Sequence, residues 1–282
     1  SSANASAPGV ISFALTSQQG IQTEDSHRIT IDLTYADLEA LRKQTNLGTS
    51  VTDTFLSLQG RTISDQNRVN VLAVSEQVGL QVSTFEVDKV NPVATQVSVD
   101  IDAGTITVVF SETVNTTSID LQSMLLQDLL SNPSAVVSLV GGTVSAANDD
   151  HVTIYVSVPV LNEIKRLSTL AISFDSSFVN FGAATFKDMA GNPNVQAVTN
   201  TTQGNYTADL TAPKLLSFNY SLNQQGTIYL AFDETMNASS FVGSGITLID
   251  ERNGTVAYQM TNVVTTSTDG TMFEIILSKV DE

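Results

Sequence analysis

A chain of 282 residues, 41% of them hydrophobic, has material for two or more domains with ordinary cores. A net charge of −17, with only 12 Lys and Arg, excludes the clustered basic surface that nucleic acid or an anionic membrane requires. The absence of cysteine excludes disulfides, thiolate catalysis and zinc–thiolate sites.

The chain opens on Ser1–Gly9, SSANASAPG, with neither Met nor a hydrophobic signal core, which reads as a processed or truncated end. No apolar run approaches the length of a membrane span. The first clear strand is Ile29–Leu33, ITIDL. Thr34 to Asp37 then has the form of a capping box, and Leu38 and Leu41 fall on one helical face, so a short helix is expected. Asp65-Gln66-Asn67 marks a turn.

Beyond Asp88 and Pro92 the period is two. Val97, Val99 and Ile101 alternate with polar residues, as do Ile106, Val108 and Phe110, and then Val152, Ile154 and Val156. Such alternation predicts antiparallel strands with one buried face. Turns are expected at Ala103-Gly104, Gly141-Gly142, Asn148–Asp150, Gly182 and Gly191-Asn192-Pro193. A second short helix is expected where Ser157, Pro159, Leu161 and Ile164 repeat the earlier pattern, with Pro in the first turn.

The chain repeats itself. GTITVVFSETVN at Gly104–Asn115 returns as GTIYLAFDETMN at Gly226–Asn237, each copy reading as a strand that ends in an acidic-Thr corner. Asp88 and Pro92 return as Asp209 and Pro213, 121 residues later. ITIDL at Ile29 returns as VTIYV at Val152 and FEIIL at Phe273. A unit of about 121 residues is too long for a solenoid repeat and fits a globular bead. Residues 1–88 then hold the later part of one unit, 89–209 a complete unit, and 210–282 the earlier part of a third.

Asp88-x-x-x-Pro92, GTITVVFSETV and Asp188-Met189-Ala190-Gly191-Asn192 together resemble the Ig-like repeats of large secreted surface proteins. These include bacterial Ig-like repeats and the Ig-like beads of eukaryotic fibre proteins of the mastigoneme kind. The resemblance covers nearly all of the chain after residue 10. It implies an all-β fold of tandem antiparallel β-sandwiches, each with one short crossover helix, and a structural or adhesive role without catalysis. The first unit departs from the pattern by having Asp65-Gln66-Asn67 in place of DMAGN, so a shorter turn is expected there.

Candidate sites are few. N-glycosylation sequons stand at Asn4, Asn115, Asn200, Asn205, Asn219, Asn237 and Asn253. Asn115 and Asn237 occupy the same place in successive units, expected to be exposed turns, so N-linked glycans would coat one face of each bead. Asp100, Asp102, Glu112, Asp149, Asp150, Asp233 and Glu234 could ligate Ca²⁺, but no EF-hand loop is present. Asp88 and Asp209 sit where units join; capping the backbone beside Pro92 and Pro213 is their first expected role, a metal the second.

His27 and His151 are expected in polar turns just before strands, and no nucleophile elbow, Walker loop or HExxH motif occurs. No small-molecule substrate is expected. The reading is a subunit or segment of an extracellular filament, with partial end units completed between chains in head-to-tail self-association. The alternative is the stalk of a cell-surface adhesin.

Overall fold

The computed structural model describes residues 11–16, 18–21, 25–200, 204–223, 226–252, 254–279 and 281. They form a β-rich molecule with two α-helices, several antiparallel sheets, and one parallel strand pair.

The first segment holds β1 (Gln18–Ile21) paired with β2 (Ile31–Leu33), then α1 (Tyr35–Arg42), then β3 (Phe55–Leu56) paired with β4 (Leu80–Gln81). Thr34 caps α1 as expected, its hydroxyl accepting from Asp37 N–H at 3.2 Å. The Asp37 carboxylate reaches Thr16, accepting from its N–H at 3.0 Å and its hydroxyl at 2.7 Å. The buried residues of α1 are Asp37 and Glu39, while Leu38 and Leu41 are only half-buried. The apolar face read from sequence is therefore not the most buried one.

The central segment runs β5 (Ala94–Asp100), β6 (Thr105–Val114), β7 (Met124–Gln127), β8 (Val136–Ser138), β9 (Thr143–Val144), β10 (Asp149–Tyr155), α2 (Val158–Arg166), β11 (Phe178–Phe181), β12 (Ala197–Asn200) and β13 (Tyr206–Thr207). One sheet has the order β13-β5-β6-β10-β9 and the other β12-β11-β7-β8. Period-two alternation sends Val97, Val99, Ile106, Val108, Phe110, Val152 and Ile154 of the first sheet into one core with Met124, Leu126, Val137, Val179 and Phe181 of the second. Phe186 plugs this core, 4.6 Å from Phe110 and edge-on to Phe181 at 5.6 Å between ring centres. Helix α2 connects the two sheets and lays Ile164 into the same core. Pro159 sits in its first turn. The β5–β6 hairpin turns on Gly104 at φ +64°.

The third segment has the order β14 (Leu215–Ser221), β15 (Thr227–Met236), β16 (Thr247–Ile249), β17 (Ala257–Gln259), β18 (Val264–Thr265) and β19 (Gly270–Ile276). Its main sheet, β14-β15-β19-β18, reproduces the order of β5-β6-β10-β9, and β16 pairs with β17 as β7 does with β8. Ile228 faces Ile275 across β15 and β19 where Ile106 faces Ile154. A second, smaller core gathers Ile228, Met260, Ile275 and Leu277.

Three sequence expectations are corrected. Asp149 and Asp150 belong to β10 and not to the turn before it, and His151 lies inside the strand. The turn at Asp65 is no shorter than its counterpart: Asp65 N–H bonds Val69 O at 2.9 Å and Asp188 N–H bonds Asn192 O at 3.1 Å, each across four residues. Arg68 adopts φ +64° where Gly191 has φ +93°, so the same loop is kept against the cost of a side chain in that region. FSETV does not form the acidic-Thr corner expected at the end of its strand. Glu112 and Thr113 continue β6 and are buried.

Candidate functional site

Glu112 and Thr113 are buried because α1 of the first segment covers them. Glu39 of α1 accepts hydrogen bonds on Oε2 from Thr113 N–H at 2.5 Å and the Thr113 hydroxyl at 2.8 Å. Its Oε1 accepts from Arg42 Nη1 at 2.6 Å. Arg42 Nη2 donates to Asp88 Oδ2 at 3.0 Å and lies 3.4 Å from Glu112 Oε2. Further along the same helix, Tyr35 OH donates to Asp150 Oδ2 at 2.7 Å and Lys43 Nζ to Asp149 Oδ1 at 2.9 Å. The helix thus grips the end of β6 and the start of β10.

The same junction recurs between the central and third segments. Lys165 of α2, in the place of Arg42, bridges Asp209 Oδ2 at 2.8 Å and Glu234 Oε2. Thr235, in the place of Thr113, donates its hydroxyl to the Asn162 carbonyl at 2.7 Å. Asn162 is the counterpart of Glu39. Val158, Pro159, Asn162 and Arg166 of α2 line a groove with Thr235, Gly270 and Thr271, the last two being the counterparts of Asp149 and Asp150.

Asp88 and Asp209 also perform the expected capping. Asp88 Oδ1 accepts from Val90 N–H at 2.9 Å and Asp209 Oδ1 from Thr211 N–H at 3.3 Å. Asp102 ties the linker to β5 by accepting from Leu210 and Thr211 N–H at 2.9 and 2.8 Å, contacts that hold its carboxyl below the usual range. Asp100 Oδ1 caps the hairpin at Ala103 N–H, 2.7 Å. Asp233 Oδ1 accepts from Lys214 N–H at 2.7 Å.

Asp88, Glu112 and Asp188 form an acidic group at the first junction, their ligand oxygens within 4.8 Å of one another. Asp188 is brought there by a bridge between Val114 and Asp188, and its loop is tightened by Asn192, whose N–H and Nδ2 each reach the Asp188 carboxylate at 2.7 Å. Burial pushes the Glu112 carboxyl up to about 7; Arg42 opposes this, while Asp88 and Asp188 add to it. Asp149, Asp150 and His151 form a second group, with His151 Nδ1 2.9 Å from Asp150 Oδ1. His151 and His27 are both exposed.

The sequons fall in different settings. Asn115 and Asn237 share one geometry: each caps a short 3₁₀ turn, and Oδ1 accepts from the N–H and hydroxyl of the second residue on. For Asn115 the donors are Thr117 N–H at 3.1 Å and Oγ1 at 2.7 Å; for Asn237 they are Ser239 N–H at 2.9 Å and Oγ at 2.7 Å. Asn237 is exposed, whereas Asn115 is half-buried rather than fully open as expected. Asn205 is exposed just before β13, and Asn219 is exposed on β14. Asn200 ends β12, and Asn4 and Asn253 lie outside the described residues.

Sequence reasoning did not find the junction itself. Its signal was present: a basic residue at one helix position, Arg42 and Lys165, recurs at nearly the spacing of Asp88 and Asp209 and of Glu112 and Glu234. Among the described residues no helix is long and apolar enough to cross a membrane. Comparison with known proteins returns no matching family model, no similar curated protein and no similar solved structure.

Proposed function

We propose that the chain is a structural segment of a secreted, N-glycosylated filament or surface appendage, built from tandem Ig-like β-sandwiches with units at residues 1–88, 89–209 and 210–282. The observation that carries this reading is the recurrence of the helix-to-strand junction. A helix at the same place in two successive units inserts a basic side chain between the aspartate that ends its own unit and a glutamate of the next. A contact repeated at a fixed sequence spacing sets a fixed step between beads, which is what a spacer requires. Partly buried charge pairs contribute little net stability but penalise wrong registers, because a displaced bead leaves its charges unpaired.

The strand order β13-β5-β6-β10-β9 against β12-β11-β7-β8 supports the Ig-like assignment. The shared capping geometry of Asn115 and Asn237 supports glycans at the same place on successive beads. Head-to-tail association of chains extends the same step into a filament. The experiment is electron microscopy of the native secreted material: the reading expects fibres whose axial repeat is a whole number of beads. Discrete globular particles without axial order would overturn it.

A further inference from the structure

We infer that Asp88, Glu112 and Asp188 form a binding site for a divalent cation of the calcium type at the first junction. The three carboxylates come from the linker, from β6 and from the loop after β11, and converge with their ligand oxygens within 4.8 Å. Two ligands of one Ca²⁺ ion, each about 2.4 Å from it, lie at most about 4.8 Å apart. The donor set is all oxygen, which suits a hard cation better than zinc or copper, whose sites favour nitrogen and sulfur.

A separate observation points to a cation as the ligand. Glu112 is 3% exposed, and its Oε2 is buried and receives no hydrogen bond. Arg42 Nη2, the nearest cationic group, stands 3.4 Å away and is already bonded to Asp88, while its Nη1 is bonded to Glu39. Three carboxylates, those of Glu39, Asp88 and Glu112, therefore share one guanidinium, and Asp188 adds a fourth acidic group beside them. A buried carboxylate oxygen left in this condition is costly unless a cation or a proton reaches it.

The second junction shows how the same pair is satisfied elsewhere in the chain. There the Lys165 ammonium sits directly between Asp209 and Glu234 and bonds both. In the first junction the planar guanidinium reaches Asp88 and stops short of Glu112. The site is completed by a cation that joins Glu112 Oε2 to Asp88 and Asp188, with Arg42 kept on Asp88 and Glu39. This inference does not depend on the filament reading. It requires only that the junction forms.

The test is calorimetric titration of the full chain, first stripped with chelator, with calcium and separately with magnesium. Wild type binds one calcium ion per chain at this site, and binds magnesium more weakly because magnesium demands tighter octahedral geometry. Glu112→Gln weakens calcium binding on the order of ten-fold or more. Asp88→Asn, at a partly exposed position where the turn cap is retained, does the same and serves if Glu112→Gln fails to fold. Asp150→Asn, in the second acidic group, leaves calcium affinity unchanged. No saturable binding at millimolar calcium, equal affinity for both ions, or binding lost in Asp150→Asn and kept in Glu112→Gln would each overturn the assignment.

Discussion

Replacing Glu39 by alanine isolates the junction contact that the fold makes most costly to lose. Glu39 is buried, and Thr113, which it serves, is 0% exposed. Alanine removes the acceptor of the Thr113 N–H and hydroxyl at once, and one of the two carboxylates bonded to Arg42. The hydroxyl can rotate toward another acceptor, but the N–H is fixed by strand β6. An unsatisfied buried donor costs about 1–3 kcal/mol, and the Arg42 contact adds a smaller amount. The expected loss is therefore about 2–3 kcal/mol, in the transition that reports on the first junction. Glu39→Gln keeps one oxygen acceptor and should recover about half of it.

Denaturant unfolding gives the magnitude, and hydrogen exchange of the Thr113 amide gives the location. The counterpart Asn162→Ala should change stability by less than about 0.5 kcal/mol, because Thr235 bonds the Asn162 backbone carbonyl, which alanine retains. If Glu39→Ala is neutral and the Thr113 amide exchanges no faster, the first segment does not dock as described.

Three further outcomes follow from the geometry. Gly104→Ala places a Cβ 3.0 Å from Leu161 Cδ2 at φ +64°, and thermal or denaturant unfolding should register a loss of about 1–2 kcal/mol; an unchanged midpoint would contradict the hairpin assignment. The Asp128 carboxyl is held down to about 2, chiefly by the Ser134 hydroxyl and also by the Ser134 and Ala135 N–H groups and the Thr169 hydroxyl. Its folded value lies below the ordinary 3.8, so its contribution is present above pH 3.8 and lost as pH falls through about 2. Asp128→Asn should remove that part of the acid transition, and a wild-type acid profile in the variant would refute the assignment. In secreted material from a glycosylating host, Asn115→Gln and Asn237→Gln should each lower the mass by one glycan; an unchanged mass in both would remove these sequons from the account.

Much of the architecture was legible because strands with one buried face write their period directly into the chain. Val97, Val99, Ile106 and Val108 are read as inward-facing and are fully buried. Pro159 and Thr34 likewise mark helix starts that the structure has. The junction was less legible because its residues are polar and their partners lie 46 to 115 positions away in the chain. FSETV reads as an acidic-Thr corner, yet it continues the strand under α1, and its burial depends on a neighbour that no local pattern announces. Repetition misleads where the surroundings differ. Phe218 stands in the place of Val97 and is 54% exposed where Val97 is 0% exposed. Arg68 shows the opposite effect, since a loop shape survives the loss of its glycine.

The proposed fixed step between beads is tested most directly by electron microscopy of the native material beside material carrying Lys165→Glu. That substitution sets three acidic groups against one another at the second junction. The account predicts ordered fibres with an axial repeat of whole beads in the native material, and loss of that order in the variant with the beads still folded. Native material that forms no ordered fibre, or a variant whose axial repeat is unchanged, would contradict it.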